Sequence, residues 1–562
     1  MKKNFVLLLI LISTGIWAQP QVPTEYFNSP LDVDLVLSGT FGELRSNHFH
    51  SGLDIKTQQQ EGLNILAAAS GYVSRINVAT YGYGKALYIQ HPNGYTTVYG
   101  HLQKFSPEIE AYIKKIQYER ESYEVEIYPE AGVLPVSQGD LVAFSGNTGG
   151  SGGPHLHFEI RDDSQRPMNP KLFGIKVKDS QSPTITSLYA YPLGEEAHVN
   201  GSANRQRLRL IPVADGSFRT EQINACGDVG FGIGAYDKQD GAANNNGVYK
   251  IEASLNGDVV FEMNMDRFSF TETRHLNQLI DYEYFINNKS RIHQLFVGPN
   301  NPLSIYNNVV NKGVVNVQDS LNYVYSIKVL DQAGNEKIVR IPVKGNQPGN
   351  IQSKKIMETD YFVKANQNFS IEENGVDIFI PKETLYYDTY LDINFKGDTV
   401  YFHKDDTAIH SNITIGFDVS KYTPEQREKM FIARLGYRGR PSYNSTTKKG
   451  DRFTAGIRTF GDYTLASDVK PPVITPVNFK NGQWISGNNS LVLRIADDLS
   501  GIKSYRATVN GKFILMEYEY KNNTITHYFA DGVVTDTENN LKVIVTDEIG
   551  NSSTYEATFH RK

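Results

Sequence analysis

Residues 153–160 read Gly-Pro-His-Leu-His-Phe-Glu-Ile, two histidines one residue apart in an otherwise strand-like apolar run. Side chains alternate between the faces of a strand, so His155, His157 and Glu159 share one side and Leu156, Phe158 and Ile160 the other. The apolar side is suited to packing and the polar side to lining a cleft. Same-face neighbours lie about 6.6 Å apart, close enough for one imidazole to hold a metal while the other reaches an adjacent water. Alternation alone needs only some polar residue at these positions, so partners elsewhere in the chain must decide between a wet face and half of a metal site.

One partner stretch is "NHFHSGLDI" (47–55), with His50 and Asp54 four apart. On a straight strand that spacing is about 13 Å, too long for shared coordination. Gly52 lies between them and permits a bend. His50, Asp54 and one of the later histidines then make three ligands suited to zinc, with a fourth position left open, the pattern of a catalytic rather than a structural site. A further stretch, "ALYIQHPNGYTTVYGHL" (86–102), reads as two strands joined around Asn93-Gly94. On its return strand Tyr95, Thr97, Tyr99 and His101 share a face, which would send His101 into the same cleft. His91 and His48 are expected at the surface or beside the site, not as ligands. The glycine-rich run 146–153 is followed by Pro154 and a strand instead of Lys-Ser/Thr and a helix, so it reads as a cleft wall for an extended peptide and not a phosphate loop. No Gly-x-Ser-x-Gly elbow precedes a helix here, and Cys226 lies outside the histidine block as an expected small buried residue.

Taken together, His50-Ser-Gly-Leu-Asp54, Tyr99-Gly-His101-Leu and Gly146-Asn-Thr-Gly-Gly-Ser-Gly-Gly-Pro-His155-Leu-His157-Phe-Glu resemble the motifs of the lysostaphin-type, or LytM-type, zinc endopeptidases that cut peptidoglycan cross-links. The resemblance covers about residues 35–175, with the flanks "AAASGYVSRI" (67–76) and "VSQGDLVAFSGNTG" (136–149) in order. It implies the duplicated hybrid motif fold, zinc (Zn2+) held by His50, Asp54 and His157, and His155 and His101 as the catalytic pair handling water and developing charge. The departure is an insertion at 106–132, where Ser106-Pro107 starts an expected helix, read as a decorated loop in preference to a lid.

The 562 residues predict roughly three or four domains. Thirty-four Tyr and 28 Phe favour strands, so the fold class expected is mainly β: an N-terminal LytM-type antiparallel β domain followed by several β-sandwich, immunoglobulin-like modules. A net charge of −6 argues against a nucleic-acid partner. Met1-Lys2-Lys3, the apolar run 5–12 and Ala18 read as a secretory signal over residues 1–18, and no later run is long enough to span a bilayer. The expected location is periplasmic or extracellular.

Two later segments repeat one another. "DSQSPTIT" (179–186) answers "DVKPPVIT" (468–475), "ASLNGDVVF" (253–261) answers "ATVNGKFIL" (507–515), and "VLDQAGN" (329–335) answers "VTDEIGN" (545–551). Three matches in one order mark two copies of a module. The Asp-x-x-Gly-Asn turns read as turn chemistry and not cation loops, because one Asp supplies too few oxygens for calcium. The expected organisation is a peptidase domain at 19–175, a first β module with insertions at 176–348, an accessory β domain at 349–467 with a short helix capped by Thr423, and a second β module at 468–562. The function this implies is a secreted zinc metalloendopeptidase acting on peptidoglycan peptides, its β modules open to protein or wall partners. The competing reading is a non-catalytic LytM-like regulator that binds or activates another cell-wall hydrolase.

Overall fold

The computed structural model describes residues 22–347, 349–354 and 356–562, so the expected signal segment lies outside the described residues. The chain is mainly β, with 44% of residues in strands against 9% in helices.

The N-terminal region contains β1 (Leu37–Gly39), β2 (Leu53–Lys56), β3 (Asn64–Leu66), β4 (Gly71–Val78), β5 (Lys85–Gln90), β6 (Thr96–Gly100), β7 (Lys104–Phe105), α1 (Pro107–Arg120), β8 (Val125–Ile127), β9 (Pro135–Val136), β10 (Leu141–Phe144), β11 (His155–Arg161) and β12 (Pro167–Met168). The main sheet runs β1-β2-β11-β6-β5-β4-β8, and β3-β10-β7 form a second, smaller sheet. Strand β11 is central, antiparallel to β2 on one side and β6 on the other. Its Leu156, Phe158 and Ile160 are fully buried in the main core with Tyr99. Its opposite face is also covered, leaving Glu159 0% and His157 2% exposed.

Two readings of the β5–β6 hairpin need correction. Phe158 pairs with Tyr99 and Ile160 with Thr97, so Thr97 and Tyr99 face the core, not the cleft. Alternation would have sent His101 to the same side. It reaches the cleft because β6 stops at Gly100 and His101 turns the chain at φ 60°. His91 is not a surface residue either: it is 2% exposed, bonded through Nδ1 to Ser70 O (2.9 Å) and through Nε2 to Thr97 Oγ1 (2.8 Å). His48 is exposed.

The insertion begins with α1, which carries Pro107 in its first turn, and then adds β8 to the sheet edge beside β4. Helix α1 forms a platform for the end of the chain. Lys114 and Tyr118 both bond Asp531, at 2.5 and 2.8 Å, and Arg506 pairs with Glu121. Nearby, Lys85 bonds Glu517 at 2.8 Å, and Lys521 donates to the carbonyls of Asn147 and Ser151 in the glycine-rich run. The last module thus sits against the loop that precedes β11.

The first β module shares one continuous apolar core with the N-terminal region, joined by contacts such as Phe41 and Phe49 on Phe268. Across that junction, Phe49 N donates to Thr273 Oγ1 and Leu37 N to Gln239 Oε1, which fixes the segment leading to His50. Residues 363–463 and 479–559 enclose two separate cores. The hairpin turns at Asn256-Gly257 and Asn510-Gly511 both have positive φ at both positions, the conformation these residue pairs favour. The helix Pro424–Lys429 is closed by a capping box between Thr423 and Gln426. Cys226, expected to be buried, is only half-buried.

Candidate metal centre

The register of β2 on β11 places Asp54 directly opposite His157. Cross-strand neighbours of this kind have Cβ atoms only about 5 Å apart, so two of the three expected ligands meet through strand pairing alone. His50 lies before β2, where the chain bends back. Gly52 serves a different purpose from the one expected: a Cβ there would lie 2.3 Å from Phe158 O and 2.9 Å from Glu159 Cγ. Close approach to β11 excludes a side chain.

The donor atoms converge. His50 Nε2 lies 2.9 Å from Asp54 Oδ1 and 3.1 Å from His157 Nδ1, and His157 Nδ1 lies 2.9 Å from Asp54 Oδ1. A tetrahedral ion with ligand bonds of about 2.0–2.1 Å would hold its donors about 3.3 Å apart, a few tenths of an ångström wider than observed. Two imidazoles and a carboxylate are also the right donor chemistry for zinc.

Hydrogen bonds to the far side of each ligand set which atom faces inward. His50 Nδ1 donates to Thr40 O (2.8 Å), leaving Nε2 as the donor atom for a metal. His157 Nε2 donates to Glu159 Oε1 (2.8 Å), leaving Nδ1. Asp54 Oδ2 accepts from Arg45 Nη2 at 3.0 Å, leaving Oδ1. Burial opposes ionisation of Asp54, but the His50 charge and hydrogen bonds from His155, His157 and His50 hold its carboxyl well below the usual range.

Glu159 anchors a second layer. Besides His157 it accepts from Ser51 Oγ (2.7 Å), Tyr83 OH (2.5 Å) and Arg161 Nε (2.6 Å), and Tyr83 stacks on the His157 ring with centroids 4.9 Å apart. Burial alone would keep Glu159 protonated; Arg161 and His157 reverse this and hold it strongly ionised.

His155 and His101 stand beside the three donors. His155 Nδ1 faces Gly153 O at 2.8 Å, and its Nε2 lies 3.3 Å from Asp54 Oδ1. His101 Nδ1 donates to Thr148 O (2.8 Å), and its ring centroid is 4.8 Å from that of His155. Burial, reinforced by the charges of His157 and His155, pushes His101 down to about 3, so its Nε2 is an unprotonated acceptor at neutral pH. The structure therefore gathers all five expected residues at one place. The sequence reading missed Tyr83, Ser51, Arg45 and Thr40. Glu159 could have been identified as the partner of His157, since the two share a strand face, but nothing local marks the others. Two glycines of 146–153 approach the protein itself, since a Cβ at Gly149 would lie 2.3 Å from Gly84 N and one at Gly146 would lie 2.3 Å from Gln103 N, whereas Gly152 and Gly153 border open space.

Residues 48–118 match peptidase family M23, and residues 360–468 match a Zu5-like domain. Over 127 residues the chain is 32% identical to the DD-carboxypeptidase/endopeptidase Mpg of Neisseria meningitidis serogroup B, a match covering 23% of each protein. Over 151 residues it is 26% identical to the cell division protein DipM of Caulobacter vibrioides, covering 26% of this chain and 20% of that one. The chain thus spans less than a quarter of the length of these relatives. Among solved structures, the catalytic domain of lysostaphin from Staphylococcus simulans aligns at 22% identity over 24% of this chain and 87% of its own, with a TM-score of 0.18. The N-terminal region of the chain therefore carries a domain of peptidase family M23.

Proposed function

We propose that the protein is an exported zinc metalloendopeptidase that hydrolyses peptide cross-links of bacterial peptidoglycan, with His50, Asp54 and His157 as the metal ligands. The observation that carries this reading is the convergence of three correctly oriented donor atoms with two further histidines beside them, each held through Nδ1 by a backbone carbonyl, His155 by Gly153 O and His101 by Thr148 O. Zinc, when bound, supplies a Lewis acid that polarises the scissile carbonyl and makes water acidic enough to attack near neutral pH. His155, whose Nδ1 proton is committed to Gly153 O, presents Nε2 to take the proton from the attacking water. His101 enters the reaction as an acceptor, its Nδ1 proton committed to Thr148 O. It helps align the water first, and can donate to a developing oxyanion only after Nε2 gains a proton. Glu159 holds His157 in the ligating tautomer throughout, the arrangement in which a carboxylate raises ligand basicity and fixes ring orientation.

The complete set of five residues favours an enzyme over a regulator that binds or activates another hydrolase. Purified zinc-loaded protein incubated with isolated peptidoglycan should release peptide fragments, and His50→Ala and His157→Ala should abolish release. Undiminished cleavage by both variants would remove the reading. Intact wall peptides together with retention of a wall amidase would favour the regulator.

A further inference from the structure

The two β modules each gather three aspartates from segments that lie apart in the sequence. In the first module these are Asp179, Asp237 and Asp331, and in the second Asp468, Asp497 and Asp547. Within each trio, one carboxylate oxygen per residue lies within 4.8 Å of the others. The trios occupy equivalent positions. Asp179 and Asp468 open the repeated entry segments, Asp331 and Asp547 begin the repeated Asp-x-x-Gly-Asn turns, and Asp237 and Asp497 each follow the last residue of a strand, Ile223–Tyr236 and Ser490–Ala496. The turn reading of Asp331 and Asp547 holds: both accept from the backbone N–H and side-chain amide of the Asn four residues on. That reading is incomplete, because folding brings two more carboxylates to each turn.

Four of the six are buried, which is costly as they stand, while Asp179 and Asp497 are half-buried. Asp331, Asp468 and Asp547 are at most 2% exposed and Asp237 is 4% exposed. None of the six joins an ion pair among the described residues. The charge of Lys171 reaches the first trio, but its ammonium is not within ion-pair distance. Oδ1 of Asp237 is fully buried without a hydrogen-bond partner, and so is its counterpart, Oδ1 of Asp497. Burial and the facing charges of Asp179 and Asp331 push the Asp237 carboxyl up to about 7. Buried carboxylates are normally paired or coordinate a metal, and an orphaned oxygen at the same place in both copies calls for an occupant.

We propose that each β module binds one calcium ion between its three aspartates, clamping the entry segment to the module body. All-oxygen donors select a hard cation, and a dedicated carboxylate cage suits calcium better than magnesium, which keeps most of its water. Each ion sits at a joint. Asp179 lies in the segment that leads from the peptidase domain into the first module, and Asp468 is the last residue of the Zu5-like match. Lys429 of that preceding domain also reaches across the second joint to Asn551 Oδ1 at 2.6 Å. Calcium would therefore fix the relative placement of successive domains, including the last module that rests on the glycine-rich loop.

The test uses the zinc-loaded full-length protein, titrated with CaCl2 by calorimetry and followed by thermal unfolding at constant ionic strength. Two sites are expected, with Kd of about 10⁻⁴–10⁻³ M as in extracellular modules, and saturation should raise the unfolding temperature by about 3–5 °C. Asp237→Asn and Asp497→Asn should each remove one site, and the double variant should lose the calcium response. Without calcium the double variant should unfold no lower than the parent, because a repelling charge has been removed from each trio. Absence of calcium heat in the parent, an equal response to MgCl2, or an undiminished calcium response in the double variant would overturn the proposal. Peptide cleavage plays no part in these readouts, so the proposal stands or falls independently of the peptidase reading.

Discussion

His157 Nε2 lies 2.8 Å from Glu159 Oε1, two residues along the same strand face, and this one contact decides which nitrogen of His157 turns toward Asp54. Glu159→Gln keeps the shape and removes the charge that holds the ring. Zinc affinity is expected to fall by about 10–100-fold, as for other partners of metal-ligating histidines. Competition with a chromogenic chelator measures it, and an unchanged affinity would assign Glu159 to packing alone.

His155 and His101 are predicted to act on the reaction and not on metal retention. His155→Ala and His101→Ala should each lower kcat by about 10²–10⁴-fold while the protein still carries one zinc per chain. Metal analysis of the purified variants alongside peptide release separates this outcome from loss of the site.

The last module is held to the peptidase domain through Lys85, whose side chain is 7% exposed and pairs with Glu517. Burial disfavours the Lys85 ammonium, but Glu517 outweighs this and raises its pKa. Glu517→Gln leaves a buried cation without its counter-charge and should cost about 2 kcal/mol, below the usual cost of breaking a fully buried pair because Glu517 is partly solvated. Urea unfolding of the full chain reads the loss.

What the sequence made legible was what local periodicity encodes. The alternation of β11 identified the cleft face of His155, His157 and Glu159, because a strand has only two faces. His101 was placed at the site by a faulty argument: strand alternation puts it with Tyr99 in the core, and only the left-handed turn at the end of β6 redirects it. Tyr83, Ser51 and Arg45 come from loops whose positions depend on the assembled sheet, so no spacing rule could find them. The aspartate trios were hidden for the same reason, since each draws on three separate segments, the first trio spanning 152 residues in sequence from Asp179 to Asp331.

Acid sensitivity should arise in the first module at His293. Its burial pushes it down to about 4 from an ordinary value of 6.5. The unfolded chain therefore takes up a proton at higher pH than the folded one. The contribution is complete above pH 6.5 and is lost as pH falls toward 4, by up to about 3 kcal/mol. His293→Gln should flatten the pH dependence of the urea midpoint between pH 6.5 and 4.5, and an unaltered slope would place the acid sensitivity elsewhere.

The most direct test of the metal centre is anomalous diffraction at the zinc edge from crystals of the full-length protein. A single strong peak about 2.0–2.2 Å from His50 Nε2, Asp54 Oδ1 and His157 Nδ1 is the predicted result. Ordered side chains at these positions in zinc-saturated crystals, with no anomalous peak between them, would contradict the account.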